Sequence, residues 1–330
     1  MEYCTQFCKL PKDIRNRILK ANIYYSEEYF NHNSNCKVFY FYDKNRIIVA
    51  VYRKKFQFRF LSLPSEPFVW NDSNISSEDT FLNELISKCK DLKCIDWIGP
   101  TEVQAVFKAA PCGAEAIPFG SHIVTLDNTE ENLWSAVHSK HRNVIRKASK
   151  DGVEISLGGE ELLPLYMIAD EQTWARSNLD SCLEKEYRTL LEDFPNNVNI
   201  FIATLDSKIQ GGAIFLYNSQ RVYYLYGASV NDSHTGAMNL LHWEAMKYYK
   251  NKGVHEYSFV GCRINEDVDS KFHGIQRFKE RFGGILNTGV MFKVILHPWK
   301  YKLYLCLKRL KDKNYMDIVD QEKSKWKDNI

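Results

Sequence analysis

The 330-residue chain lacks most of the features that identify a protein quickly. None of its nine cysteines forms a C-x-x-C pair, and Cys4-x3-Cys8 and Cys89-x4-Cys94 have no paired histidines near them. Without such partners they are poor candidates for a zinc site. An odd, dispersed cysteine count without a secretory signal predicts a reducing, cytoplasmic setting. No apolar run approaches the ~18 residues of a membrane span. No heptad pattern is sustained anywhere, which excludes a long coiled-coil arm. There is no G-x-S-x-G, and Cys262 after Gly261 has no evident histidine partner, so nothing marks a covalent nucleophile. The histidines at 138, 141, 234, 242 and 273 form no metal set, and no metal is expected. A formal charge of +3 is too small for wholesale coating by nucleic acid, so any such contact needs a local basic patch.

What is present is ordinary globular composition, 45% hydrophobic and 26% charged, in a chain longer than the ~250 residues one core usually reaches. Two domains are expected. Val38 to Tyr42 and Arg46 to Arg53 read as strands around Asp43-Lys44-Asn45. Phe56 to Phe60 alternates, with three phenylalanines on one face. Phe81, Leu82, Leu85, Ile86 and Cys89 form one stripe of a helix over 78–90, and Ile95 to Ile98 is a short strand. A second unit begins near Ser121 with the strand Ile123 to Leu126. One helix follows, capped at Asp127 or Asn128 and running through Leu133, Trp134 and Val137 to Ala148. After the strand Val153 to Leu157, Glu160 to Arg176 is helical by pattern. Asn199 to Leu205, Ile209 to Tyr217 and Arg221 to Ala228 then form an antiparallel meander. The helix Gly236 to Lys250 and the strand His255 to Val260 complete the unit.

The most informative stretch is Lys271 to Gly284, K-F-H-G-I-Q-R-F-K-E-R-F-G-G, followed by a strand-like run from Val290 to Leu296. Ile275, Phe278 and Phe282 recur at helical spacing, Lys279 leaves that face, and Gly283-Gly284 stops the helix. The pattern G-x-x-x-F-K-x-x-F-G-G resembles the signature of the FemABX peptidyltransferases, which belong to the wider GNAT-like acyltransferases. Trp134, Arg142, Ile145-Arg146-Lys147-Ala148 and Gly152-Val153 resemble the helix that opens that family's second lobe. The resemblance covers residues 120–296 well and the first lobe only by its layout.

The resemblance implies an α/β fold of two tandem GNAT-like lobes with largely antiparallel sheets flanked by helices. The first lobe is 1–120, with 297–330 packing back on it, and 121–296 carries the catalytic motif. The implied reaction transfers an amino acid from aminoacyl-tRNA to an amine of a peptidoglycan precursor, with no cofactor of its own. It makes Lys279 the catalytic cation, with Phe278 beside it. Tyr224 and Tyr226, two apart on a strand and so sharing a face, are implied to line the acceptor channel. Arg176 is read as a diphosphate clamp, because a guanidinium binds phosphate bidentately, and Arg263 as a second such candidate. Gly236, at a helix start, and Arg142 are the candidates for donor phosphates.

Two alternatives stand beside this reading. One is an acyl-CoA-dependent N-acyltransferase acting on an amino sugar, nucleotide- or lipid-linked, for a surface polysaccharide. The loop Asp232 to Met238 keeps one glycine of the usual CoA-binding pattern but lacks its leading basic residue. The other is a non-catalytic nucleotide-glycan binding protein. The tail Lys300 to Lys313 is basic and amphipathic, a pattern that suits peripheral contact with the inner face of a membrane. Packing back on the first lobe is the expected outcome for it.

Overall fold

The computed structural model describes residues 1–71, 76–93, 95–176, 184–264 and 271–327. Its strands are β1 Glu2–Cys4, β2 Lys37–Tyr42, β3 Arg46–Lys55, β4 Phe58–Ser62, β5 Phe68–Val69, β6 Trp97–Ile98 and β7 Glu115–Thr125, then β8 Glu154–Gly158, β9 Val198–Leu205, β10 Lys208–Tyr217, β11 Arg221–Ser229, β12 Glu256–Arg263 and β13 Ile285–Ile295. Its helices are α1 Lys12–Ile18, α2 Glu27–His32, α3 Glu78–Leu92, α4 Glu130–Ala136, α5 Ser139–Lys150 and α6 Leu163–Ala175, then α7 Glu184–Asp193, α8 Ala237–Asn251, α9 Lys271–Glu280, α10 Pro298–Lys311 and α11 Ile318–Lys327. The class is α/β with largely antiparallel strand pairing, as the sequence implies. None of these helices is long and apolar enough to cross a membrane. The chain divides into two compact units, Met1–Ser121 with Gly261–Asn265 and Asn287–Ile330, and His122–Val260 with Glu266–Leu286.

In the first unit the strands run in the order β1-β2-β3-β4-β6-β13, with β5 on β3. The anticipated stripe of α3 buries Phe81, Leu82, Leu85, Ile86 and Cys89 against Phe39, Phe41 and Phe292. Phe56 corrects the reading of an alternating strand. It has φ of 55° and is 82% exposed, because Phe56 and Gln57 form the turn that lets Lys55 face Phe58. The tail helix α10 packs Tyr301 and Tyr304 on Trp97, with ring centroids 5.3 and 4.8 Å away. Lys293 is buried and held by Asp317 at 2.8 Å, Asp320 at 2.5 Å and the Tyr301 hydroxyl at 3.2 Å.

In the second unit the order is β12-β11-β10-β9-β8, antiparallel except for the β11–β12 pair. Phe201, Phe215, Tyr249, Tyr257, Phe259 and Phe282 anchor its core, closed by α5 and α8. The single helix expected from 127 to 148 is two. Val137 turns extended, with ψ of 127°, and the His138 Nδ1 accepts the Lys140 amide at 3.1 Å as the cap of α5. An imidazole cap satisfies one of the orphan amides that a helix start leaves. The helix α7 was not anticipated; only Tyr187 and Leu191 of it are buried, an i,i+4 pair too sparse to show a period.

The helix α8 starts at Gly236, whose φ is 100° and whose missing side chain leaves room for α5. A Cβ there would lie 2.5 Å from the Val144 carbonyl oxygen. Gly236→Ala therefore combines a left-handed backbone penalty with overpacking. It is expected to destabilise the protein by about 2–4 kcal/mol, read as a lower urea midpoint.

Candidate active site

The parallel strands β11 and β12 are registered over Arg221–Glu256, Val222–Tyr257 and Tyr223–Ser258, and the first of these pairs is locked by an ion pair at 2.6 Å. Both strands continue, but two local devices change their course. In β11, Phe215 faces Tyr224 while Ile214 faces Tyr226, so Leu225 is an extra, bulged residue. In β12, Val260 has φ of 46°, an uncommon conformation for a β-branched residue. The Val260 amide donates to the Ser258 hydroxyl at 3.2 Å. Backbone held in this region costs about 1–3 kcal/mol and collects at functional sites. The carboxyl ends of such parallel strands are where α/β sheets hold ligands.

The Val260 carbonyl accepts from the Nζ of Lys279 at 3.2 Å. Lys279 is only 7% exposed, rare for a lysine. The phenylalanines on either side of it, Phe278 and Phe282, are 5.2 Å apart and pack on the second unit's core. Two imidazoles back them. His141 lies 5.3 Å from Phe278 and 4.7 Å from Phe282, and His242 lies 5.5 and 5.4 Å from the same rings. His242 is fully buried; its Nδ1 is 2.6 Å from the Tyr257 hydroxyl, and its Nε2 has no hydrogen-bond partner. Burial first, then His141 and Lys279, push the His242 pKa down to about 3. Burial, Arg281 and His138 push His141 down to about 4. Burial and Lys279 also lower His122. At neutral pH these imidazoles are uncharged and add no positive charge around the buried Lys279. There a fixed N–H donor stabilises a developing oxyanion far better than it would in water.

A family model described as the FemAB family matches residues 113–210 and 208–309. The chain belongs to the FemAB family. Two curated relatives are lipid II:glycine glycyltransferases. That of Staphylococcus haemolyticus (strain JCSC1435) is 34% identical over 94 residues, 28% of this chain and 22% of that protein. That of Staphylococcus aureus is 29% identical over 139 residues, 42% of this chain and 30% of that protein. The matched stretches thus span less than a third of those relatives' length. Among solved structures, the crystal structure of FemX superposes with a TM-score of 0.68 at 15% identity, over 92% of this chain and 99% of that one. The structure of L-PGS from Bacillus licheniformis superposes with a TM-score of 0.52 at 12% identity, over 87% and 92%. At such identities the agreement concerns the fold.

The second FemAB-matched segment contains Lys279, Phe278, Tyr224, Tyr226, Gly236 and Arg263. These residues have different neighbours in the structure. The bulge at Leu225 breaks the alternation that would give Tyr224 and Tyr226 a common face, which corrects the sequence reading. Tyr224 packs on the core, 4.5 Å and edge-on to His242, and burial raises its phenol to about 12. Tyr226 meets Tyr187 of α7 at 5.1 Å. Gly236 is the tight contact with α5 described above. Arg142 donates to the Ser135 and Trp134 carbonyls at 3.0 and 3.4 Å, capping the end of α4. Arg176 donates to the Ser229 carbonyl at 2.9 Å and to Asn231 at 2.8 Å, fastening α6 to the end of β11. Arg263 belongs to the first unit and binds Glu322 at 2.7 Å and Gln321 at 2.8 Å, anchoring α11. These three guanidiniums hold protein groups, a structural use that the sequence could not reveal.

Two groups went unrecognised as neighbours of the site. His242 sits with Met238, Ala245 and Tyr249 at spacings of four, three and four, so a histidine on an apolar helical stripe was the available signal. Asp170 of α6 is buried, and its Oδ1 accepts from Tyr187 at 3.1 Å, Trp174 at 3.0 Å and Tyr166 at 3.4 Å. Its Oδ2 has no partner, and burial raises its pKa. This knot fixes the α7 tyrosine on which Tyr226 rests. Among the described residues, no group of three or more His, Cys, Asp or Glu side chains is placed to hold a metal ion.

Proposed function

We propose that this FemAB chain is an aminoacyltransferase that moves an amino acid from aminoacyl-tRNA to an amine of a peptidoglycan precursor, with residues 121–296 as the GNAT-like lobe that carries Lys279. The observation that supports it best is the buried Lys279, its Nζ aimed at the Val260 carbonyl where β12 is kinked. The acceptor amine, once deprotonated, attacks the ester carbonyl of the charged tRNA. A C–N bond forms, negative charge gathers on the carbonyl oxygen, and the C–O bond to the ribose then breaks. In this reading the Lys279 N–H stabilises that oxyanion, and the leaving ribose oxygen takes up a proton. The FemAB relatives named lipid II:glycine glycyltransferase make glycyl-tRNA and lipid II the first pair to try.

The test offers lipid II to the purified protein with either labelled glycyl-tRNA and its aminoacyl-tRNA counterparts or labelled acetyl-CoA. Label is expected to pass from a charged tRNA to the peptide amine. Label arriving from acetyl-CoA instead would assign the chain to CoA-dependent N-acyl transfer. Silence with every charged tRNA would overturn the reading.

A further inference from the structure

The helix α10 turns apolar side chains outward as well as inward. Its inner face packs Tyr301 and Tyr304 on Phe58 and Trp97. Its outer face carries Trp299, Leu303, Leu307 and Leu310, spaced four, four and three apart, which aligns them along one side of the helix. All four are exposed, Trp299 by 63% and Leu310 by 82%. Contiguous apolar surface of this kind marks an interaction site.

The charges around the stripe indicate what covers it. From Pro298 to Lys311 there is no Asp or Glu, while Lys300, Lys302, Lys308, Arg309 and Lys311 are cationic. At 100° per residue, Lys302 and Arg309 flank one edge of the stripe and Lys300 the other. Lys300 is tied to Asp96 at 2.7 Å and Lys308 lies over the Tyr315 ring at 4.9 Å, whereas Lys302 and Arg309 are exposed, Arg309 donating only its Nε to the Tyr315 carbonyl at 3.4 Å. A second copy docking through the same patch would set this cationic rim against itself, since a two-fold contact pairs a surface with its own image. Anionic lipid headgroups complement it, and tryptophan favours the headgroup level.

We propose that the outer face of α10 docks the protein on an anionic bilayer surface, with Trp299, Leu303, Leu307 and Leu310 entering the headgroup–acyl boundary and Lys302 and Arg309 meeting lipid phosphates. This goes beyond the transfer reaction, and it is tested without any substrate, so failure of either reading leaves the other standing. The full chain is sedimented with vesicles of phosphatidylcholine alone or mixed with phosphatidylglycerol. Binding to the anionic vesicles is expected to be stronger by about 25-fold, roughly fivefold for each of the two exposed cations, and to weaken with salt. The exposed-site double variant Leu307→Asp/Leu310→Asp is expected to keep the wild-type melting temperature and to lose at least about tenfold in anionic-vesicle binding. Lys302→Glu/Arg309→Glu is expected to abolish the preference for anionic lipid. The proposal falls if neither vesicle binds, or if the leucine variant binds as well as the wild type. It also falls if the protein is a dimer in solution that Leu310→Asp dissociates, which would give the face to a second copy.

Discussion

Lys279→Met is expected to lower the rate of aminoacyl transfer by about 10²–10³-fold, the usual cost of removing one preorganised oxyanion donor. Methionine keeps the length and apolar stem of lysine, so packing between Phe278 and Phe282 survives. The variant deletes the donor to Val260 at 3.2 Å and also spares the fold a buried cation. These opposing effects leave the expected change in stability within about 1–2 kcal/mol. Single-turnover transfer from charged tRNA, measured beside a thermal melt, separates the two. A folded variant that transfers at the wild-type rate would remove Lys279 from the chemistry. A variant that binds donor normally but fails in the chemical step would place the lysine in the transition state, because only interactions that strengthen there change kcat.

The second large effect concerns acid. His242 titrates near 6.5 when the chain is unfolded, and burial, with His141 and Lys279 adding repulsion, holds it at about 3 when folded. Its folded pKa is therefore depressed. The unfolded state binds the proton first, so the stability from the neutral imidazole is fully present above pH 6.5. It is lost progressively as pH falls from there toward the folded value. Between pH 7 and pH 5 the expected loss from His242 alone is about 2 kcal/mol. His141, lowered to about 4, acts in the same direction. His242→Asn offers an acceptor in place of Nδ1 for the Tyr257 hydroxyl, 2.6 Å away, and removes the titration. Urea midpoints of both proteins at pH 7 and pH 5 give the comparison. The variant is less stable at pH 7, but its loss on acidification is expected to be smaller by about 2 kcal/mol. Equal losses in the two proteins would mean that His242 is not held neutral.

Periodicity made much of the fold legible. The stripes of α3 and α8 and the three strands β9, β10 and β11 repeat at 3.6 or 2 residues, and packing only had to accept them. The break between α4 and α5 stayed hidden because Leu133, Val137 and Ile145 continue one apolar stripe across it, while the cap is an unusual residue, His138. In α9 the motif located Lys279, but its side-chain environment followed another logic. Ile275, assigned to the apolar face, is 43% exposed, and Lys279, assigned away from it, is buried. The reason lies nineteen residues back in the chain, in the backbone of Val260, which side-chain pattern does not encode. The arginines show a related effect. Arg142, Arg176 and Arg263 carry the right charge for phosphates, but carbonyls, Asn231 and Glu322 claim them once the chain is folded.

The kink at Val260 has a further consequence. The carbonyl it presents is an internal occupant of the very donor that the proposed chemistry needs. Val260 accepts only one of the three N–H donors of the ammonium, so under the proposed reaction it acts as a tether that fixes where the others point. The proposed donor is then aimed before any substrate arrives, and the reaction itself has little left to rearrange.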